Sequence, residues 1–318
     1  MDLATWVLIL VSLYIGWNIG ANDAANCLGT SVGAGILNYK KALILVGIFA
    51  VIGAALQGSK TMNTVGKNII DSGSMSSLGI IAALLGASIL ITLFTIKGLP
   101  ISTTNVVIGS LAGVAFITSI AVNWGNISKI FVSWVFAPIG SAITSYLAYH
   151  LVGLFFNKLK LEFIQKRLYL LAIFSGLFLA YGLGANNIGN AMGIAVGTGV
   201  LTPALAGLFG GLFIGIGSVT FGSKVMKTVG SGITELDTRM AFAAQMGTAV
   251  TVILFTYLAI PVSTSTAIVG GVAGVGVVKG VASIDKSEMF RIVRSWVTTP
   301  LLGGLFGVVI YKAMSVLL

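Results

Sequence analysis

Two short motifs carry the polar side chains that are best suited to ion chemistry. They read GANDAANC and GANNIGNA and have the same spacing. Their polar members are Asn22, Asp23 and Asn26 in the first copy and Asn186, Asn187 and Asn190 in the second. The outer two members of each copy are four residues apart, so they share one face of a helix. Because carboxylate and amide oxygens are hard ligands for a metal cation, these six side chains are predicted to bind an alkali cation.

Two further blocks combine a proline with a run of hydroxyl groups. Pro100 precedes Ser102, Thr103, Thr104 and Asn105, and Pro261 precedes Ser263, Thr264, Ser265 and Thr266. Proline favours the first turn of a helix and Ser or Thr its cap, so each block predicts a helix N-terminus. The free N–H groups at such an end form an anion site. Two such ends facing each other would hold one small polyoxyanion.

Helix packing offers a plainer interpretation of parts of these patterns. Glycine pairs such as Gly29 and Gly33 let helices approach closely, and asparagines can hydrogen-bond between helices. Serine and threonine hydroxyls often bind carbonyls of their own helix. The functional interpretation is favoured because both patterns recur in the two halves of the chain.

The composition indicates that the solvent is a lipid bilayer. Hydrophobic residues make up 57% of the 318 residues and charged residues only 8%, whereas an average soluble domain has about 25% charged residues. One cysteine and one histidine exclude an internal disulfide and a histidine-rich metal centre. The 18 basic residues are dispersed between apolar runs, which argues against a nucleic-acid partner.

Long apolar runs predict an all-α polytopic membrane protein. Runs of about 20 residues give about 10–12 membrane segments, including broken or re-entrant helices. The predicted segments begin near Leu3, Ala42, Leu78, Ile101, Ile127, Leu168, Pro203, Ala241, Val262 and Ile292. The run from Ile127 to Phe156 contains Pro138, so it could form two pieces.

The chain is also an internal repeat. The ion motifs are offset by 164 residues, the hydroxyl blocks by 161, and the segments VSWVFAP and RSWVTTP by 162. Lys40 and Lys41 follow the first motif, whereas the basic residues of 158–167 precede the second. Under the positive-inside rule the two copies therefore have opposite orientations. We expect inverted repeats at 1–157 and 168–318, joined by a cytoplasmic linker at 158–167.

Matched lysines and two glutamines are weaker candidates. Lys60 and Lys224 occupy equivalent positions in the two GSK segments. They could attract an anion to the mouth of a pathway, and snorkelling to the membrane interface explains them equally well. Gln57 and Gln245 lie in apolar runs.

The two ion motifs and the paired P-[IV]-S-T blocks resemble the inorganic phosphate transporter family, which includes sodium–phosphate symporters. This resemblance covers nearly the whole chain. It implies two inverted repeats, commonly a homodimer, that move inorganic phosphate together with sodium ions or protons. It also implies phosphate and cation contacts in the hydroxyl blocks, Ser102 to Asn105 and Ser263 to Thr266, beside the cation-binding motif residues.

Two departures from the family pattern are evident. The family commonly has aspartate in both motif copies, but the second copy here has Asn187, which leaves the number of coupled ions open. The long central loop of the animal relatives is absent, so a prokaryotic cell membrane, the inner membrane, is expected.

These observations lead to the hypothesis of a secondary phosphate symporter that works by alternating access and has no resident cofactor. Sodium is preferred because proton coupling usually relies on several membrane carboxylates or histidines, whereas this motif has one carboxylate among many neutral oxygens. The alternatives are a proton-coupled carrier of phosphate, metal phosphate or sulfate, and a passive anion channel. An enzyme is disfavoured because the sequence contains no evident nucleophile–base pair.

Overall fold

The computed structural model describes residues 2–69, 75–120, 123–156, 161–231, 236–280 and 286–317. Within these ranges all regular secondary structure is helical. The first half contains α1 (Leu3–Asp23), α2 (Ala25–Gly33), α3 (Tyr39–Gln57), α4 (Ser59–Asn63), a π-helical turn (Thr64–Ile69), α5 (Ser77–Ile96), α6 (Thr103–Ile117) and α7 (Trp124–Phe156). The second half contains α8 (Leu161–Gly197), α9 (Pro203–Ser231), α10 (Thr238–Tyr257), α11 (Thr264–Gly276), a 3-10 turn (Val277–Lys279) and α12 (Lys286–Leu317).

The helix lengths match those of a protein that crosses a membrane many times. Eight helical segments in the described ranges are long and apolar enough to span, counting α1 and α2 together. The helices α6 and α11 are apolar but shorter. All ten segments begin close to the positions predicted from the apolar runs, and the all-α membrane fold is confirmed.

The structure corrects one detail of the sequence interpretation and bears on a second, which stays a prediction. The run from Ile127 to Phe156 is not two pieces, because α7 continues through Pro138 as one helix of 33 residues. Neighbouring helices and side chains can satisfy the carbonyl that a membrane proline leaves free. The predicted linker at 158–167 overlaps α8, which already begins at Leu161; residues 157–160 lie outside the described residues.

The two halves are intertwined. The last helix of each half packs on the other half: α7 lies against α10 and α11, and α12 lies against α5 and α6. Similarly, α1 packs on α9 and α8 packs on α3. Every one of these pairings has its counterpart at the repeat offset, which is the pattern of a pseudo-twofold axis.

Two helical hairpins meet near this axis. The first is α5–α6 and the second is α10–α11, and each tip precedes one of the hydroxyl blocks. The Thr104 hydroxyl donates to the Val262 carbonyl at 3.2 Å. The Ser265 hydroxyl lies 3.0 Å from the Ile101 carbonyl, which it reaches from the opposite hairpin. The tips therefore touch each other through two equivalent hydrogen bonds.

Glycines set the distance between the motif helices and their neighbours. A Cβ atom on Gly20 would lie 1.8 Å from the Ile214 carbonyl oxygen, and one on Gly184 would lie 1.9 Å from the Ala50 carbonyl oxygen. Both contacts are with backbone, which cannot rotate away. The motif helices α1 and α8 are thus held against α9 and α3 at a separation that only glycine permits.

Replacing Gly184 by alanine should force α8 away from α3. Overpacking of this kind costs about 1–3 kcal/mol, so we expect a lower thermal unfolding midpoint in detergent for Gly184→Ala. Gly140→Ala is the matched control, because its Cβ would meet Thr251 at an ordinary 3.5 Å. An equal midpoint for the two variants would contradict the close-approach interpretation.

Candidate functional site

The Asp23 carboxylate lies at the centre of the contact between the two halves. Its side chain is 1% exposed. The Oδ2 atom accepts hydrogen bonds from the Thr103 hydroxyl at 2.5 Å and from Asn187 Nδ2 at 3.0 Å. The Oδ1 atom accepts from the Ser265 hydroxyl at 2.9 Å. These donors come from the first hairpin, the second motif and the second hairpin, so one side chain joins three elements.

The last asparagine of each motif binds the opposite hairpin. Asn26 Nδ2 donates to the Ser265 hydroxyl at 2.8 Å, and Asn190 Nδ2 donates to the Thr104 hydroxyl at 2.8 Å. These are the same two hydroxyls that reach across to the neighbouring hairpin tip. Each motif is therefore coupled to both tips through a single hydroxyl group.

The pair Asp23 and Asn187 breaks the symmetry of the site. Thr103 donates to the Asp23 carboxylate, whereas its repeat counterpart Thr264 accepts from Asn187 Nδ2 at 2.9 Å. The direction of the hydrogen bond reverses because a carboxylate can only accept and an amide nitrogen can only donate. Asn187 donates to Asp23 where a second carboxylate would repel it.

The first asparagine of each motif has a different environment. Asn22 Nδ2 donates to the Leu99 carbonyl at 3.1 Å, and Asn22 Oδ1 accepts from the Ile101 amide at 3.1 Å. Asn186 makes the equivalent bonds to the Ile260 carbonyl at 3.1 Å and the Val262 amide at 2.8 Å. These two side chains hold the hairpin tips, and their role as sodium ligands stays a prediction.

Two threonines that hold these asparagines were not singled out from the sequence. Asn22 Nδ2 also donates to Thr95, and Asn186 Nδ2 donates to Thr256, both at 2.9 Å. The repeat offset could have identified them, because these threonines are 161 residues apart, as the hydroxyl blocks are. Each ends a hairpin's first helix, where threonine alone is an ordinary residue.

The hydroxyl blocks begin their helices as expected. Ser102 accepts from the Asn105 amide and Ser263 from the Thr266 amide, both at 3.2 Å, so each serine caps its helix. The Thr266 hydroxyl donates to the Ser263 carbonyl at 3.0 Å. Asn105 Nδ2 donates to the Trp296 carbonyl at 3.2 Å. All eight hydroxyl-block residues are buried, yet only some of them face the motifs.

Three buried amide oxygens have no hydrogen-bond partner among the described residues: Oδ1 of Asn105, Asn187 and Asn190. A buried acceptor without a partner costs about 1–3 kcal/mol. Two of these oxygens belong to the second motif, beside Asp23 and Thr104. Oxygen atoms of this kind suit a cation better than an anion, and they match the cation chemistry predicted for this motif.

Gln245 forms a second polar cluster, closer to the end of α2. Its Nε2 atom donates to the hydroxyls of Thr30 at 2.7 Å and Ser31 at 2.8 Å, and its Oε1 accepts from Ser175 at 2.9 Å. The position equivalent to Gln245 in the first half is Leu84. This cluster therefore belongs to one hairpin only.

The fold and the site together define a class of protein. A buried polar site at the interface of two repeats, with broken or short helices pointing into it, is typical of secondary transporters. No group of three or more metal-binding His, Cys, Asp or Glu side chains occurs in the part of the chain that the structure describes. The described polar groups of the site are neutral oxygens, amides and one carboxylate.

Comparison with known proteins identifies the family. The model of the phosphate transporter family matches residues 19–170 and again residues 160–307. A "Putative phosphate permease" of Pyrococcus abyssi is 31% identical over 99% of each chain, and one of Methanocaldococcus jannaschii is 30% identical over 96% of each chain. This chain belongs to the phosphate transporter family.

A solved structure shares the whole fold. It is described as the sodium-dependent phosphate transporter, and it superposes with a TM-score of 0.92 over 100% of both chains at 24% identity. The family resemblance predicted from the motifs is confirmed, and the double family match agrees with two repeats. The protein is a multi-pass membrane protein of a transporter family.

Removing a tip-holding asparagine should destabilise the fold. Asn186→Ala leaves the Val262 amide and the Ile260 carbonyl without their side-chain partner, at about 1–3 kcal/mol for each buried group. We expect a lower unfolding midpoint in detergent, and the same for Asn22→Ala. Ser12→Ala is the control, because Ser12 is buried without a hydrogen-bond partner in the described ranges. A midpoint of Asn186→Ala as high as that of Ser12→Ala would refute the tethering role.

Proposed function

We propose that the protein is a symporter of inorganic phosphate that is driven by a sodium gradient and works by alternating access. The observation that carries this proposal is the Asp23 carboxylate at the junction of both hairpins and both motifs. The family and the two helix N-termini that point to the same junction support phosphate as the substrate. The neutral oxygens around the carboxylate support sodium as the coupling ion.

Phosphate would bind where α6 and α11 begin. Their first amide groups and the hydroxyls of Thr103, Thr104, Thr264 and Ser265 provide hydrogen-bond donors. The Thr104 hydroxyl now donates to the Val262 carbonyl of the opposite tip, and the one Ser265 proton is shared between the Ile101 carbonyl of the opposite tip and Asp23 Oδ1. A phosphate oxygen could replace those carbonyls as acceptor, so the substrate would be bridged between the two tips.

Sodium is needed because the substrate and Asp23 carry charge of the same sign. Inorganic phosphate bears one to two negative charges near neutral pH, since its second pKa is about 6–7. Burying it beside a carboxylate would be costly without compensating cations. Asp23 Oδ1 and Oδ2 and the free Oδ1 atoms of Asn187 and Asn190 are the proposed sodium ligands, with Asn22, Asn26 and Asn186 close by. Phosphate and sodium would then move together, because sodium neutralises the charge of the buried phosphate and of Asp23.

Alternating access would use the two hairpins as gates. Each tip closes the site from one side, and the tips are joined to each other and to the motifs by hydrogen bonds. Withdrawing one tip breaks its bonds and leaves the other hairpin in place. The two inverted repeats, 1–157 and 168–318, would supply one gate each.

The remaining assignments are part of the same proposal. A homodimer and a prokaryotic inner membrane are expected, and the relatives named above are archaeal. Proton coupling is the second candidate, because a buried carboxylate can also take up a proton. A passive anion channel would carry phosphate without any cation gradient.

Ion replacement tests the coupling directly. Uptake of labelled phosphate into proteoliposomes should fall at least about tenfold, a difference of about 1.4 kcal/mol, when sodium is replaced by choline at constant pH. Uptake that follows an imposed pH gradient instead would favour the proton-coupled candidate. Flux that is independent of both gradients would indicate a channel.

Substrate choice is tested in the same vesicles. Sulfate has the shape of phosphate but no proton at neutral pH, so it cannot donate a hydrogen bond to Asp23. We expect competition by excess sulfate to be at least about tenfold weaker than competition by unlabelled phosphate. Equal competition would contradict the role of Asp23 in distinguishing the two anions.

Asp23→Asn tests the role of the carboxylate. Sodium-dependent uptake should fall at least about tenfold, while the unfolding midpoint stays close to that of the wild type, because the side chain keeps its size. Asp237→Asn is the matched control: Asp237 caps α10 at the protein surface, and asparagine caps a helix equally well. Normal sodium-dependent uptake by Asp23→Asn would remove Asp23 from the mechanism.

A further inference from the structure

A polar cavity lies beside the tip of the α10–α11 hairpin. It has a volume of about 160 Å³, roughly ten times the ~15 Å³ that one water molecule requires. Its walls include Thr64 of the π-helical turn and Asn126 and Lys129 of α7. Leu258, Ile260 and Pro261 of the hairpin tip complete it. The cavity is large enough for a small hydrated oxyanion.

The hairpin tip that lines this cavity also contacts the buried site. Pro261 is two residues before Ser263, which caps α11. The carbonyl of Ile260, next to Pro261, accepts from Asn186 of the second ion motif. A solute in the cavity would therefore contact the same tip that Asn186 of the buried site holds.

The charge of this cavity is positive. Lys129 is exposed, and its ammonium group donates one hydrogen bond to Asn126 Oδ1 at 3.2 Å, which leaves two further protons for a ligand. Lys60 lies next to the same tip, where its Nζ atom is 3.4 Å from the Tyr257 carbonyl and 5.3 Å from the Tyr257 ring centre. Among the described residues that line the cavity, none is acidic.

An anion is the solute that this arrangement favours. Lysine ammonium groups bind phosphate as point charges. A cleft of one charge sign with apolar walls concentrates field lines and raises the local concentration of the opposite ion. Lys129 and the hairpin tip line the same small cavity, so a bound anion would contact both the lysine and the tip.

From these contacts we infer that the cavity is an antechamber that binds inorganic phosphate before the α10–α11 tip opens. This inference rests on the proposed phosphate transport. A phosphate ester of a lipid headgroup has the same chemistry, and snorkelling lysines commonly contact it. The position of Lys129 over the hairpin tip favours the free ion.

The first experiment measures transport. Lys129→Gln combined with Lys60→Gln should raise the KM for phosphate about three- to tenfold with unchanged maximal rate, because steering acts on encounter and not on translocation. The dependence of KM on ionic strength, varied with choline chloride at constant sodium, should weaken. Lys129→Arg keeps the charge and should keep the wild-type KM, and Lys312→Gln, an exposed lysine on α12, controls for surface charge in general.

Two transport results would overturn the antechamber. One is a wild-type KM and ionic-strength dependence in the double variant. The other is a Lys129→Arg variant as impaired as Lys129→Gln, since that would indicate packing and not charge. Lys224→Gln is the sidedness control: Lys224 makes the equivalent contact with the Ile96 carbonyl at 3.4 Å, at the opposite hairpin. It should leave the KM measured from the Lys60 side unchanged.

The second experiment measures the rate at which a thiol in the cavity is modified, and it does not depend on transport. Cys27 is the single cysteine and is buried, so Leu258→Cys introduces one reactive thiol at the cavity wall. An anionic methanethiosulfonate should modify it faster than a cationic one. Lys129→Gln should lower this ratio about threefold or more. Millimolar phosphate should slow the anionic reagent only while both lysines are present.

Lipid composition separates the two sources of phosphate. In phosphatidylcholine vesicles, which carry no net headgroup charge, protection by free phosphate should persist. Protection that requires phosphatidylglycerol would assign the cavity to lipid headgroups and overturn the proposal. Protection by phosphate in a protein that shows no phosphate uptake would refute the proposed function alone, and uptake without protection would refute the antechamber alone.

Discussion

The buried carboxylate of Asp23 is the constraint on which the other features of this protein depend. A charge withdrawn from water costs several kcal/mol unless hydrogen bonds or opposite charges compensate it. Here the compensation comes from neutral donors on Thr103, Asn187 and Ser265, which belong to three separate elements. The position of one carboxylate therefore specifies how both hairpins meet the motifs. In the proposed mechanism, a cation that binds Asp23 would change those same contacts, which would link ion binding to the hairpin tips.

The two halves share a backbone plan but differ in polarity. Asn187 replaces the carboxylate that the repeat would otherwise place opposite Asp23, so the two motifs attract each other directly. Gln245 ties the second hairpin to α2 and α8 through hydroxyls, whereas the equivalent Leu84 is buried among apolar side chains. A hydrogen-bonded contact between helices can exchange its partners for water, whereas an apolar contact cannot. The two hairpins are thus chemically distinct although their folds are equivalent.

Charge is distributed along this molecule according to its distance from the site. Lysines such as Lys60 and Lys129 are exposed beside the hairpin tip, where low-dielectric walls extend their attraction for an anion. The site itself has hydroxyls, amides and one carboxylate, which in the proposed mechanism would hold an anion only together with cations. If the cavity is the antechamber that we infer, the tip of α10–α11 separates attraction by net charge from selection by neutral donors. Such a separation would let a strongly attractive entrance coexist with a site that can release its substrate.

The amino-acid sequence by itself determined the membrane setting, the repeat, the ten apolar segments and the family, because hydropathy, offsets and motif letters are local properties. It also determined that α6 and α11 begin at capped hydroxyl blocks. Only the tertiary structure decided that α7 and α12 cross to the opposite half. It also decided the roles of the asparagines: Asn22 and Asn186 hold the hairpin tips, whereas Asn26 and Asn190 donate to hydroxyls. Residues of one type and spacing separate into these roles because their partners lie more than 70 residues away, where no local pattern can specify them.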